Sequence, residues 1–199
     1  MTANAEELEL KDRLSLIESM IAEGRRTTES WGWTFVLWGM AYYIAIFWAG
    51  VSHGYLAWPV TMIAAFLLNA VIAIRKTHGR PGTTMGRAIA SIWIAMGISM
   101  FVLFTALGSS GKLADYHIFV AIAAAMMGTA NASSSMILKW KVQFACALVW
   151  WAAAVISCFG TASQSSMTFL AAIFLCQIVF GSYMMIVEAR KRRQEANHA

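Results

Sequence analysis

Residues 30–74 read SWGWTFVLWGMAYYIAIFWAGVSHGYLAWPVTMIAAFLLNAVIAI and contain no Asp, Glu, Lys or Arg. A transmembrane helix needs roughly 20 apolar residues to cross a hydrocarbon core of about 30 Å, so the stretch is long enough for two crossings. Its middle, from Gly50 to Pro59, holds the glycine, serine and proline residues that favour a turn. The stretch therefore predicts a transmembrane hairpin without charge.

The composition of the whole chain agrees with a membrane-embedded fold. Of the 199 residues, 59% are hydrophobic and only 13% are charged, which is far more apolar than a typical soluble domain. A backbone in lipid must satisfy its polar groups internally, so it forms helices or a closed barrel. Because the apolar runs are about 20 residues long and do not alternate, the sequence predicts an all-α fold.

The charge-free runs predict a polytopic bundle of six transmembrane helices. The predicted crossings are residues 33–51, 57–74, 88–107, 117–138, 142–159 and 167–187. The chain then divides into an amphipathic N-terminal helix at residues 1–29, a transmembrane domain at residues 30–189 and a basic tail at residues 190–199.

The crossings pair into three hairpins that resemble tandem repeats. The first helix of each hairpin carries a tryptophan at a similar position and ends at a glycine: Trp38 and Gly50, Trp93 and Gly108, Trp150 and Gly160. Apolar helices also resemble one another through composition alone, so the pattern leaves both explanations open.

The basic residues predict which helix ends face the cytoplasm. They fill the connections at residues 75–87 and 139–141 and the tail at 190–193, whereas the other three connections contain only Lys112. By the positive-inside rule, both termini are cytoplasmic. These positions at the membrane edge explain the net charge of +5 better than a nucleic-acid partner does, so the expected partner is the lipid bilayer.

The N-terminal residues predict a short amphipathic helix. Leu10, Leu14, Ile17 and Ile21 share one helical stripe because they are spaced four, three and four residues apart. The other faces are rich in Glu and Asp, whereas a helix that lies on anionic lipid is rich in Lys and Arg. We therefore expect the stripe to dock on protein: on the basic loops of its own bundle, on a second copy in a homo-oligomer, or on a cytoplasmic partner.

The predicted crossings contain no Asp, Glu, Lys, Arg or His deep in their interior. Proton-coupled carriers, voltage sensors and intramembrane hydrolases need such side chains. The sequence therefore predicts no catalytic residue, no metal ligand and no cofactor site.

Three amide side chains lie in the second helices of the hairpins: Asn69, Asn131 and Gln177. Together with Trp93 and Trp150 they form a candidate path for an uncharged solute. The alternative is that the amides join neighbouring helices and the indoles pack in the core. Counted to the next basic residue, the amides lie 6, 8 and 13 residues deep, so we do not expect a single ring of amides.

The fourth crossing is rich in small side chains. Ala124, Gly128 and Ala132 follow one another at intervals of four residues, a pattern that lets helix backbones approach closely. The stripe predicts a helix-packing role at the centre of the bundle; a permeation path or a dimer contact is the alternative.

The N-terminal passage also resembles a known group of proteins. LSLIESMIAEG, from Leu14 to Gly24, leads through ESWGW at residues 29–33 into LWG at residues 37–39. This passage resembles the start of uncharacterised bacterial six-helix inner-membrane proteins. The resemblance implies a bacterial inner membrane, and it carries over no activity, cofactor or functional residue.

Two hypotheses for function follow from these patterns. The first is a non-enzymatic membrane protein that acts in signalling, regulation or assembly through its cytoplasmic helix. The alternative is a small carrier or channel for a neutral or hydrophobic solute.

Overall fold

The computed structural model describes residues 2–52, 56–77, 83–111 and 115–197, and every element in these ranges is helical. The elements are α1 (Thr2–Glu29), α2 (Gly32–Ser52), α3 (Ala57–Thr77), α4 (Thr84–Ser109), α5 (Tyr116–Leu138), α6 (Lys141–Phe159), α7 (Ala162–Ile173), a π-helical segment (Phe174–Val179) and α8 (Phe180–Asn197). The predicted all-α class is confirmed for these residues. Residues 53–55, 78–82 and 112–114 lie outside the described residues, and with them part of the basic connection at residues 75–87.

The described chain contains 6 helices that are long and apolar enough to cross a membrane, as the sequence predicted. Helices α2 to α6 supply five of them, and α7, the π-helical segment and α8 run on without a break as the sixth, at Ala162–Gln194. The first five begin and end within a few residues of their predicted limits. The α2–α3, α4–α5 and α6–α7 pairs each pack together, and the tandem-repeat relation between them stays a prediction.

The last apolar helix is longer at both ends than predicted. It begins at Ala162 because Thr161 and Gln164 form a capping box: the Thr161 side chain accepts from the Gln164 N–H, and Gln164 Oε1 accepts from the Thr161 N–H at 2.8 Å. At the other end the basic tail continues the helix to Asn197, where no proline or glycine stops it.

Helix α5 lies at the centre of the bundle. It packs most extensively on α6, and it also contacts α4 and α7. Helix α2 packs on α3, on the π-helical segment and on α8, which joins the first hairpin to the third. Helices α3 and α4 lie at the periphery, and α4 reaches α2 through Trp93, whose ring centre is 5.1 Å from that of Phe35.

Glycine permits two close helix contacts. At the crossing of α2 and α8, a methyl group on Gly32 would lie 2.7 Å from the Gly181 carbonyl oxygen, and one on Gly181 would lie 2.8 Å from the Gly32 carbonyl oxygen. On α5, a methyl group on Gly128 would overlap the indole of Trp151 on α6. Backbones can approach this closely only where no Cβ intervenes, and close backbone contact is a main source of helix association in apolar surroundings.

The exterior of the helices is apolar. Large side chains lie mostly exposed on four different helices: Phe47 at 74%, Phe66 at 61%, Phe101 at 63% and Phe159 at 88%. A protein dissolved in water rarely exposes apolar area on this scale, because such patches associate. The buried interior contains aromatic contacts such as Trp150 with Phe169, whose ring centres lie 6.0 Å apart.

Candidate functional sites

The stripe on α1 is the first candidate site. Leu10 is 59% exposed, Leu14 53% and Ile17 52%, and every described side chain from residue 9 to residue 20 is exposed. Ile21 is half-buried. The larger part of the stripe is therefore uncovered, and its N-terminal three members do not dock on their own bundle, which was one of the alternatives that the sequence left open.

Helix α1 meets its own bundle near its C-terminal end. Gly24 is buried against Met85, at the start of α4, and against Leu138, at the end of α5. Helix α1 also contacts α8. Since Thr84 begins α4 and Leu138 ends α5, α1 is anchored at the end of the bundle where the basic connections lie, and its preceding residues extend beyond that anchor.

The faces beside the stripe carry charge. Lys11 Nζ lies 2.7 Å from Glu7 Oε1, and Arg13 lies 2.5 Å from Glu9 Oε1, one helical turn apart in each pair. Such exposed pairs stabilise an isolated helix by roughly 0.2–0.5 kcal/mol each. Residues 7–23 contain five carboxylates and two basic side chains, so the surface around the stripe is acidic.

The five candidate solute-path residues lie on five different elements, and the structure brings only some of them together. Asn131 on α5 and Trp150 on α6 are both fully buried, and Gln177 is 2% exposed in the π-helical segment. Trp93 is half-buried on α4, and Asn69 is half-buried on α3. Helix α3, which carries Asn69, packs chiefly on α2, whereas Asn131 and Trp150 lie on the paired helices α5 and α6.

Two contacts fix how the helices of this region are aligned. Gly128 faces Trp151 across the α5–α6 pair, and Cys176 Sγ donates to the Cys146 carbonyl oxygen at 3.6 Å between the π-helical segment and α6. Counting from these contacts in antiparallel helices, Gln177 lies level with residue 145 of α6, and Asn131 lies level with residue 148. At 1.5 Å per residue, the two amides differ in depth by roughly 5 Å.

The sequence count therefore gives too large a depth for Gln177, although a difference of roughly 5 Å between Asn131 and Gln177 remains. Its depth was counted to Arg190, but α8 continues as a helix well past the ends of its neighbours. Phe180, only three residues after Gln177, already packs on Trp140 at the end of the α5–α6 hairpin, with ring centres 5.5 Å apart. Gln177 consequently lies about one turn inside the bundle.

Two further polar side chains in this region were missed from the sequence. Gln143 on α6 and Ser134 on α5 are both 0% exposed. Gln143 lies two residues after Lys141, and it is seven residues from Trp150 and so shares its helical face. That spacing was the available signal for Gln143, whereas Ser134 stood among three consecutive serines with no signal to single it out.

We call these four side chains the inner polar layer: Asn131, Ser134, Gln143 and Trp150. Five of their polar atoms are buried and have no hydrogen-bond partner in the part of the chain that the structure describes: Asn131 Oδ1, Ser134 Oγ, Gln143 Oε1, Gln143 Nε2 and Trp150 Nε1. Asn131 Nδ2 is satisfied, because it donates to the Met127 carbonyl oxygen at 2.9 Å. Each buried group left unsatisfied costs roughly 1–3 kcal/mol.

The π-helical segment lies beside the inner polar layer. It spans Phe174–Val179 and carries the buried residues Cys176 and Gln177. A π-helical turn inside an α-helix widens the backbone locally and occurs frequently at functional sites. Its alignment with residue 145 of α6 places it at the depth of Ser134 and Gln143.

The small-residue stripe of α5 is buried. Ala124 is 0% and Ala132 5% exposed, and Gly128 lies against Trp151. The stripe faces into the closely packed α5–α6 pair, where small side chains allow the two backbones to approach.

Clustered metal ligands are not found among the described residues, where no three His, Cys, Asp or Glu side chains lie together. His117 Nδ1 lies 3.0 Å from the Ser157 carbonyl oxygen, a contact that joins α5 to α6.

Comparison with known proteins adds no relative. No protein-family model matches the sequence, and neither a curated protein nor a solved structure matches the chain.

Proposed function

We propose that the chain is a non-enzymatic integral membrane protein of a bacterial inner membrane, and that it acts in signalling, regulation or assembly through α1. Six apolar helices with an apolar exterior support insertion into lipid. The basic connections support a cytoplasmic position for α1 and for both termini. The observation that carries the proposal is the uncovered stripe of Leu10, Leu14 and Ile17 on a helix anchored to the bundle.

The exposed stripe can contribute enough energy for a reversible contact. Fully burying a leucine or isoleucine side chain contributes roughly 1.5–3 kcal/mol, and about half of that remains available when the side chain is half exposed. Covering all three side chains thus contributes roughly 2–5 kcal/mol. The acidic surface beside the stripe favours a partner whose apolar groove is flanked by Lys or Arg, because complementary charges set orientation and association rate.

Site-specific photocrosslinking in the native host tests this proposal. A photoreactive phenylalanine analogue replaces Leu14 in the full-length protein, and the matched control replaces Ser19, which is exposed on the opposite face of α1. We expect a discrete protein adduct from position 14 that is absent from position 19 and that disappears when Leu10→Asn and Ile17→Asn are added. Equal adducts from both positions, or none from either, would refute a docking stripe.

The alternative function is a small carrier or channel for a neutral solute. The unpartnered atoms of the inner polar layer favour it, because a path for uncharged solutes needs hydrogen-bonding groups inside the bundle. Uptake of a panel of uncharged solutes into liposomes, with wild type and Asn131→Leu compared, tests it. Flux above that of empty liposomes that falls in the variant would establish transport.

A further inference from the structure

The inner polar layer presents donors and acceptors without partners. Gln143 offers both a free N–H group and a free carbonyl oxygen, Asn131 offers an acceptor, Trp150 a donor and Ser134 a hydroxyl that can do either. All four side chains are at most 1% exposed. Buried polar groups in proteins are almost always hydrogen-bonded, so five such atoms on one helix pair point to a bound polar group.

The four side chains lie within about two helical turns of one another in depth. From the contact between Gly128 and Trp151, Ser134 lies level with residue 145 and Asn131 with residue 148. The layer therefore extends from Gln143 to Trp150, roughly 10 Å along the helix axis. This length suits a small molecule.

The charge around the layer selects an uncharged ligand. Between Val142 and Val187 the chain has no Asp, Glu, Lys or Arg, and helix α5 has none from Tyr116 to Leu138. A charged ligand would therefore be buried without a counter-ion, which is strongly unfavourable in apolar surroundings. The free donor and free acceptor of Gln143 are adjacent, and their complement is another amide, which can form two parallel N–H···O bonds.

We propose that the inner polar layer is a binding site for a small uncharged molecule with an amide-type donor and acceptor pair, anchored by Gln143. Asn131, Ser134 and Trp150 supply the remaining hydrogen bonds. Gln143 lies two residues from Lys141, so the ligand enters from the end of the bundle that carries the basic connections. The π-helical segment contacts α6 at the same depth through Cys176, whose thiol donates to the Cys146 carbonyl oxygen.

Nuclear magnetic resonance of side-chain amides tests the site, with acetamide as the probe. In the purified full-length protein in detergent, the amide signals of Gln143 are assigned by their loss in Gln143→Leu. Gln164 is the internal control, because its side chain caps α7 at the opposite end of the bundle. We expect acetamide to shift the Gln143 signals saturably, to leave those of Gln164 unchanged, and to bind more weakly in Ser134→Ala.

Three outcomes would overturn the proposal. The first is that acetamide leaves the Gln143 signals unchanged while the Gln143 amide protons exchange with water. That result would mean that water alone satisfies the inner polar layer. The second is an equal response of Gln143 and Gln164, which would indicate a solvent effect. The third is an equal response of Gln143 to sodium acetate, which would contradict selection for an uncharged ligand.

Discussion

The contact between Gly128 and Trp151 provides the sharpest test of how the bundle is packed. In Gly128→Ala, the added methyl group would lie 2.5 Å from Trp151 Nε1 and 3.0 Å from Trp151 Cγ. Since Cγ is close to the backbone, the indole cannot avoid the clash by a small movement of its outer end. Overpacking of this kind costs typically about 1–3 kcal/mol in free energy of unfolding.

Gly97→Ala is the matched control, because a methyl group on Gly97 meets nothing within 4 Å. Both substitutions lie inside apolar helices, and both gain helix propensity of up to about 1 kcal/mol. We therefore expect Gly97→Ala to be neutral or slightly stabilising. Gly128→Ala should be less stable than this control by about 1–3 kcal/mol.

Reversible unfolding in mixed micelles, followed by circular dichroism, measures both free energies. Trp151→Ala removes the ring that causes the clash, so we expect Gly128→Ala and Trp151→Ala to be non-additive by about 0.5–3 kcal/mol. If Gly128→Ala is as stable as Gly97→Ala, or if the double variant is simply additive, the close α5–α6 contact described above is wrong.

Three further predictions follow from local contacts. Gly181→Val should destabilise the bundle by about 1–3 kcal/mol, because the added Cβ meets the backbone of α2. Gly108→Val is the control, since a Cβ added there meets nothing within 4 Å. Thermal unfolding in detergent compares the two variants, and equal stability would contradict the α2–α8 contact. Thr161→Ala removes the cap of α7 and should cost about 1 kcal/mol of unfolding free energy in the same assay; no loss would contradict the capping box. Leu14→Gln should leave stability within about 0.5 kcal/mol, because its side chain is exposed, and a larger loss would indicate that α1 packs on its own bundle.

The sequence was sufficient to predict the helices, because their limits follow from charge and length. Charge-free runs of about 20 residues predicted six apolar helices, and they placed the ends of the first five to within a few residues. The last helix was predicted too short, since its start depends on the capping box of Thr161 and Gln164. Its continuation to Asn197 has no breaking residue to mark it, and the apolar run ends at the charged tail before the helix does.

The candidate sites were less predictable, because they depend on how helices align. The depth of Gln177 was overestimated, since the sequence does not say how far α8 extends past its neighbours. Gln143 was missed because its burial arises from tertiary packing, not from its own neighbours in sequence. The π-helical segment has no motif in the sequence, because it forms under tertiary packing.

The exposure of the α1 stripe also could not be derived from periodicity. The spacing of Leu10, Leu14 and Ile17 indicates a shared face, but the same spacing fits a face packed on the bundle. The contacts of Gly24 with Met85 and Leu138 decide the matter, because they anchor only the C-terminal end of α1.

Cysteine accessibility in intact cells tests whether six helices cross the membrane with α1 on the cytoplasmic side. Cys146, Cys158 and Cys176 are replaced by alanine, and a single cysteine is introduced as Ser15→Cys on α1 or Ser163→Cys at the start of α7. We predict that a membrane-impermeant maleimide labels Ser163→Cys in spheroplasts and labels Ser15→Cys only after lysis. Labelling of Ser15→Cys before lysis, or protection of Ser163→Cys from the reagent, would contradict this membrane topology.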